Sequence, residues 1–344
     1  MIQATSVTVR SMHKDSFQLP QLDYRLPRWN PVPEFARNCP FCDKAGTALL
    51  LRPDGLPISQ CGSCRCYYVS LQVSEQALAA FYAAYWAETC PRPLTDEMAK
   101  YLLASAKSRA TEDYFFTRIS ALLRSFRSKK VLDVGCGFGE KATIMASMGA
   151  EVVGLDVSRE AAAFTNSKLG IPCKCQTLQE YRDGDGGFDL ITMFEFIEHP
   201  LKPVEVLQAA MAKLRPGGLL AITTPNGTAG SRWQPGAPDE WIGFRVDLEH
   251  MQYLHVATVD MLAHVLGMTV VHLEQCGYRE PAELEPPRKE NPVSTRMRTA
   301  LKGVPGVRES VYGFHDLRRR FSRMTEPRFG GGDYHLFCVL QKNG

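Results

Sequence analysis

Three glycines at every second position, Gly135, Gly137 and Gly139, end an apolar run that begins at Val131. A strand that turns through glycines into a helix lets the backbone approach a ligand closely, as in doubly wound nucleotide-binding folds. The spacing is G-x-G-x-G, one residue shorter than the G-x-G-x-x-G of dinucleotide sites. Carboxylates flank it on both sides, Asp133 in the predicted strand and Glu140 at the predicted helix start. A pyrophosphate seeking the positive end of that helix would meet negative charge. A cationic ligand suits the loop better. S-adenosyl-L-methionine carries a sulfonium and an ammonium and no phosphate, so the loop predicts that cofactor rather than NAD.

The segments that follow agree. A second apolar strand ends in Asp156, about twenty residues beyond the loop, where a carboxylate grips a ribose hydroxyl pair. Residues 188–199 form a strand and a polar loop, and residues 214–226 give a Pro-Gly-Gly turn with another strand. Over roughly residues 129–278 these segments, in this order, resemble the successive motifs of class I S-adenosylmethionine-dependent methyltransferases. The resemblance implies an α/β, Rossmann-like sheet, mostly parallel with an antiparallel last strand. It also implies that Asp133, Gly135, Cys136, Gly137 and Gly139 surround the methionine end of the cofactor. Asp156 and Val157 would hold the ribose and adenine, Thr177 and Leu178 would border the adenine ring, and Phe194 would complete the cofactor site. Position 177 departs from the family, which often has an acidic residue there.

Methyl transfer is an in-line displacement at an activated carbon, so alignment and exclusion of water dominate. An oxygen acceptor further needs a base or a metal. Glu195, Glu198 and His199 lie in the predicted loop after the fourth strand, and His250 and His255 follow a long Gly-, Pro- and Trp-rich stretch, 227–246, of the length of a lid. The E-x-x-E-H pattern with a later histidine resembles the ubiquinone-pathway catechol O-methyltransferases and the small-RNA 2′-O-methyltransferases. That resemblance implies Glu195, Glu198, His199 and His250 as ligands of Mg or Mn. Direct base catalysis by His199, His250 or His255, with Glu198 beside them, is the other option.

Nearer the N-terminus, Cys39-x-x-Cys42 and Cys61-x-x-Cys64 are two knuckles separated by eighteen residues, with Cys66 just beyond. That is the sequence form of a zinc ribbon, in which four thiolates close a structural site. So small a segment needs the metal to fold. Cys66 is either a spare thiol or a substitute for Cys64. Ser74 then caps a predicted amphipathic helix carrying Phe81, Tyr82, Tyr85 and Trp86, a stripe that either packs between domains or lines a channel. A Cys-rich module ahead of such a domain resembles methyltransferases that modify sugars or other metabolites in bacterial glycan pathways.

These parts predict an N-terminal arm (1–36), a zinc ribbon (37–72), a helical connector (73–128) and a methyltransferase domain (129–278 and 333–344) interrupted by a basic helical insertion (279–332). From 288 to 328 eleven Lys or Arg face four Asp or Glu, a surface suited to an anionic membrane, to RNA, or to solvent. The chain's net charge of +3 is too small to imply nucleic acid. No signal-peptide run or long apolar span is present in the sequence, which points to the cytoplasm, with the insertion as a possible contact to the inner membrane face. Three functions therefore compete: methylation of a small molecule or glycan precursor, which is favoured, methylation of RNA, and a catalytically silent scaffold. Intact glycines and Asp156 oppose the last.

Overall fold

A computed structural model describes residues 33–52, 54–86, 94–183, 187–230, 244, 248–277 and 333–344. Most of the N-terminal arm, the middle of the lid-like stretch and the whole basic insertion lie outside the described residues. Among the described residues, no helix is long and apolar enough to cross a membrane.

The N-terminal part runs β1 (Pro33–Ala36), β2 (Gly46–Leu51), β3 (Pro57–Cys61), β4 (Tyr67–Val69) and β5 (Leu71–Val73). Three helices follow, α1 (Glu75–Ala84), α2 (Asp96–Glu112) and α3 (Tyr114–Leu123). The Ser74 side chain accepts the Ala77 amide at 3.3 Å, the expected N-cap. The rest alternates strand and helix: β6 (Lys130–Val134), α4 (Glu140–Ser147), β7 (Glu151–Asp156), α5 (Arg159–Leu169), β8 (Cys173–Cys175), β9 (Phe188–Phe194), α6 (Pro203–Lys213) and β10 (Leu214–Pro225). After α7 (Gly227–Gly230) come β11 (Gln252–Tyr253), α8 (Val256–Leu266), β12 (Met268–Cys276) and β13 (His335–Lys342).

Seven strands form one sheet in the order β12-β13-β10-β9-β6-β7-β8. Strands β8, β7, β6, β9 and β10 are parallel, and β13 is antiparallel to both neighbours. The Rossmann-like sheet with an antiparallel last strand is therefore what forms. Both faces are covered, which is why its strands are nearly continuous apolar runs. Alternate residues serve alternate faces. Val131, Leu190, Leu219 and Phe337 pack with α2 to α5, whereas Leu132, Ile191, Leu220 and Cys338 pack with α6 and α8.

The chain leaves β6 towards β7 and β8 on one side, then returns to place β9 on the other. That reversal between β6 and β9 is the switch point at which open α/β sheets bind ligands, outside the carboxyl ends of the strands. The glycine loop and the Glu195–His199 loop both emerge there.

The Cys-rich module does not close on itself. Its sheet has the order β11-β4-β3-β2, so a strand from beyond the lid-like stretch completes it. Gln252 pairs with Tyr68 and Tyr253 with Tyr67.

Candidate active site

The predicted cofactor cradle is the turn from β6 into α4. Gly137 and Gly139 have positive φ, +53° and +79°. A Cβ on Gly139 would meet Thr165 and Leu169 of α5 at 2.8 Å, so this glycine lets two helices pack closely. The Gly137 amide donates to Asp156 Oδ2 at 2.9 Å and the Ser158 amide donates to Asp156 Oδ1 at 2.8 Å. The acid at the end of β7 thus shapes the loop while retaining lone pairs for a ribose.

Asp133 is buried and accepts the Thr192 hydroxyl at 2.7 Å through Oδ1. Its Oδ2 is buried with no hydrogen-bond partner among the described residues. Burial, which outweighs the Thr192 bond and the charge of Lys141, pushes the carboxyl up to about 7. An orphan carboxylate oxygen under a glycine turn fits a ligand that brings an ammonium, so these residues suit S-adenosylmethionine. Cys136 lies below the loop with its Sγ 3.5 Å from that of Cys173.

The remaining predicted cofactor residues are placed less directly. Val157 is exposed beside Asp156. Thr177 donates its amide and hydroxyl to Glu180, at 2.8 and 2.9 Å, and closes its own turn. Leu178 is buried in the core and Phe194 stacks on Phe115.

On the acceptor side the structure brings Glu198, His199 and His250 together, with one ligand atom from each lying within 4.8 Å of the others. Residues distant in sequence assemble this trio. Met251 donates its amide to Glu198 O at 2.8 Å, and the buried Gln252 side chain donates to Ile197 O and Pro200 O at 2.7 and 2.8 Å. His199 Nδ1 lies 2.6 Å from the Tyr82 hydroxyl, which also donates to Glu249 O at 3.3 Å. Either atom of the short Tyr82–His199 contact can be its donor, so the contact fixes the ring's position and ties its tautomer to the phenolic proton. His250 is buried, and that burial, with the nearby Arg52 charge, pushes its pKa down to about 3, so the ring is neutral.

Glu195 and His255 are not part of this cluster. Glu195 has a φ of +49° and its Oε2 faces His335 Nε2 at 3.7 Å. His255 caps α8, accepting the Ala257 amide at 3.0 Å through Nδ1.

The four predicted thiols do converge. Cys39 and Cys64 sulfurs are 3.5 Å apart, Cys42 and Cys61 3.4 Å, and Cys42 and Cys64 3.7 Å. A tetrahedral site with metal–sulfur bonds of about 2.3 Å has sulfurs about 3.8 Å apart, so the set fits such an ion. Cys66 stands outside the set, its buried thiol directed at the carbonyls of Tyr67 and Tyr253.

Sequence reasoning missed the residue that joins the module to the trio. Arg52 is fully buried, pairs with both oxygens of Asp54 at 3.1 and 2.7 Å, and donates to the carbonyls of Leu248 and His250. Charged residues are seldom this buried unless paired, which is the only signal the sequence could have given.

A glycine cradle with its ribose acid at the switch point of this sheet defines a Rossmann-like S-adenosylmethionine-dependent methyltransferase. In agreement, residues 107–273 match a family described as "Methyltransferase domain". Two curated relatives are named ubiquinone biosynthesis O-methyltransferase. The one from Chromobacterium violaceum is 29% identical over 163 residues, 45% of this chain and 70% of its own. The one from Parvibaculum lavamentivorans is 35% identical over 111 residues, 31% of this chain and 44% of its own. The match thus spans less than half of the second relative. A solved S-adenosylmethionine-dependent methyltransferase from Archaeoglobus fulgidus is 20% identical with a TM-score of 0.44, covering 70% of this chain and 99% of its own.

Proposed function

We propose that this enzyme transfers a methyl group from S-adenosylmethionine to a hydroxyl oxygen of a small metabolite. A sugar, free or carried on a nucleotide or lipid, is the substrate class we favour. The observation that carries the reading is the convergence of Glu198, His199 and His250, two of them in the loop whose Phe196 ring lies against Gly135 of the glycine turn. An acceptor there must be aligned with the sulfonium, shielded from water and relieved of its proton. The relatives' name, O-methyltransferase, supports an oxygen acceptor.

A carboxylate with two imidazoles suits a divalent cation such as Mg or Mn. Bound there, the cation would lower the pKa of the acceptor hydroxyl. The chain's own part is to keep His250 neutral and to orient His199 through Tyr82, as outer partners of metal ligands do. A second reading, in which His199 takes the proton directly, is favoured by the same Tyr82 contact, because it holds the imidazole in place. The four-thiol site is assigned to a structural zinc, since four sulfur ligands leave no open position.

The test is transfer of labelled methyl groups from S-adenosylmethionine to nucleotide sugars, free sugars and catechols, with a mild chelator and added Mg or Mn. Activity lost to chelator and restored by metal supports the cation. Activity in chelator that falls in His199→Ala supports the base. Labelling of RNA alone would overturn the small-molecule reading, and no transfer to any acceptor would favour a silent scaffold.

A further inference from the structure

Trp86 sits one helical turn beyond Tyr82, past the end of α1, and its indole reaches the cofactor loop. A Cβ built on Gly137 would lie 2.8 Å from Trp86 Cζ2. The other two glycines of the loop admit different neighbours, the Phe196 ring at Gly135 and Thr165 with Leu169 at Gly139. In glycine turns of this kind the middle glycine is the one whose backbone the ligand approaches, and the last serves helix packing. The last glycine here does pack a helix. The middle one has an indole against it.

The indole is held in place. Phe138 meets it edge-on with centroids 5.0 Å apart, and Tyr85 does so at 5.5 Å. Four residues apart on the same short segment, Tyr82 meets His199 of the trio and Trp86 meets Gly137 of the glycine loop. One helix end therefore borders both the methyl donor and the methyl acceptor. The ligand implied by the loop is a sulfonium cation, and tryptophan presents the most favourable ring to a cation.

We propose that Trp86 is a cofactor-binding residue whose indole walls the methionine end of the cradle and stabilises the sulfonium of S-adenosylmethionine. The proposal rests on reading the glycine loop as that cofactor's cradle. It makes a prediction that packing alone does not: the indole favours S-adenosylmethionine, a cation at sulfur, over S-adenosylhomocysteine, a neutral thioether.

Calorimetric titration of both ligands into the native protein, Trp86→Phe and Trp86→Leu tests it. Trp86→Leu should weaken S-adenosylmethionine binding roughly tenfold more than S-adenosylhomocysteine binding, and Trp86→Phe should recover most of the difference. Equal losses for the two ligands, or no loss, would overturn the proposal. Should Trp86→Leu fail to fold, the fluorescence of native protein minus that of Trp86→Phe isolates the indole. Saturating S-adenosylmethionine should then change the signal more than S-adenosylhomocysteine, and an unchanged signal would overturn the proposal. Asp156→Ala separates the two ideas. Loss of binding there with native binding in Trp86→Leu removes the role of Trp86 and leaves the cradle, whereas a native protein that binds neither ligand removes the cradle itself.

Discussion

The guanidinium of Arg52 donates to the backbone carbonyl of His250 at 2.5 Å. One side chain from the Cys-rich module therefore holds the backbone of a histidine of the Glu198–His199–His250 cluster, almost two hundred residues away. Arg37 adds a second tie, donating to the Met251 carbonyl at 2.8 Å, and β11 continues the module's sheet. The module thereby serves as the rigid wall against which segment 248–253 is laid.

Arg52→Met should take the guanidinium from the Asp54 carboxylate and leave the Leu248 and His250 carbonyls without its donated bonds, costing about 3 to 5 kcal/mol of stability. Urea unfolding measures the loss. Amide exchange at residues 250–253 should accelerate at the same time, and native protection there would show that the segment does not depend on Arg52.

Asp133 gives cofactor binding a pH dependence. Its folded pKa is raised to about 7 by burial, so in the cofactor-free protein its favourable contribution is present at low pH and is lost as pH rises through about 7. The cofactor's ammonium favours the carboxylate. Affinity for S-adenosylmethionine should therefore increase as pH rises towards 7, with proton release on binding below about pH 7. Titrations in buffers of different ionisation enthalpy measure the released proton. Asp133→Asn should abolish most of it.

Zinc should be present at one atom per chain in protein purified without chelators. Cys61→Ser should lose the metal and unfold at lower denaturant, because the module is too small to hold itself by apolar burial. Cys66→Ser should keep the metal, since its thiol reaches the carbonyls of Tyr67 and Tyr253 and the four converging thiols do not include it. Elemental analysis of both variants decides the assignment.

Tyr82→Phe removes the hydroxyl that orients His199 while leaving the ring packing. Turnover should fall about 10- to 100-fold, with affinity for S-adenosylmethionine unchanged. An equal fall in cofactor affinity would show that the hydroxyl supports the fold instead of the imidazole.

The cradle was legible in the sequence because it is local. Asp133, the glycines and Asp156 lie on consecutive strand–loop units, so their spacing alone nearly determines their proximity. The acceptor site was legible only in part. Glu198 and His199 share a short loop, but His250 joins them through the Gln252 amide and Arg52, contacts between residues some fifty to two hundred positions apart. Spacing also suggested that Glu195 belongs with Glu198 and His199. The left-handed backbone at Glu195 turns its carboxylate to His335 instead. His255 follows the same lesson, since a histidine can cap a helix and this one does. Strand β11, two residues long, has too few side chains to show a period.

Whether the loop at the switch point holds the cofactor is tested most directly by titrating S-adenosylmethionine into native protein and Asp156→Ala side by side in a calorimeter. The native chain should bind one equivalent. Asp156→Ala should bind more weakly by about 2 to 4 kcal/mol, roughly 30- to 1,000-fold. Native affinity in Asp156→Ala, or no binding by the native chain, would contradict the assignment of the cradle.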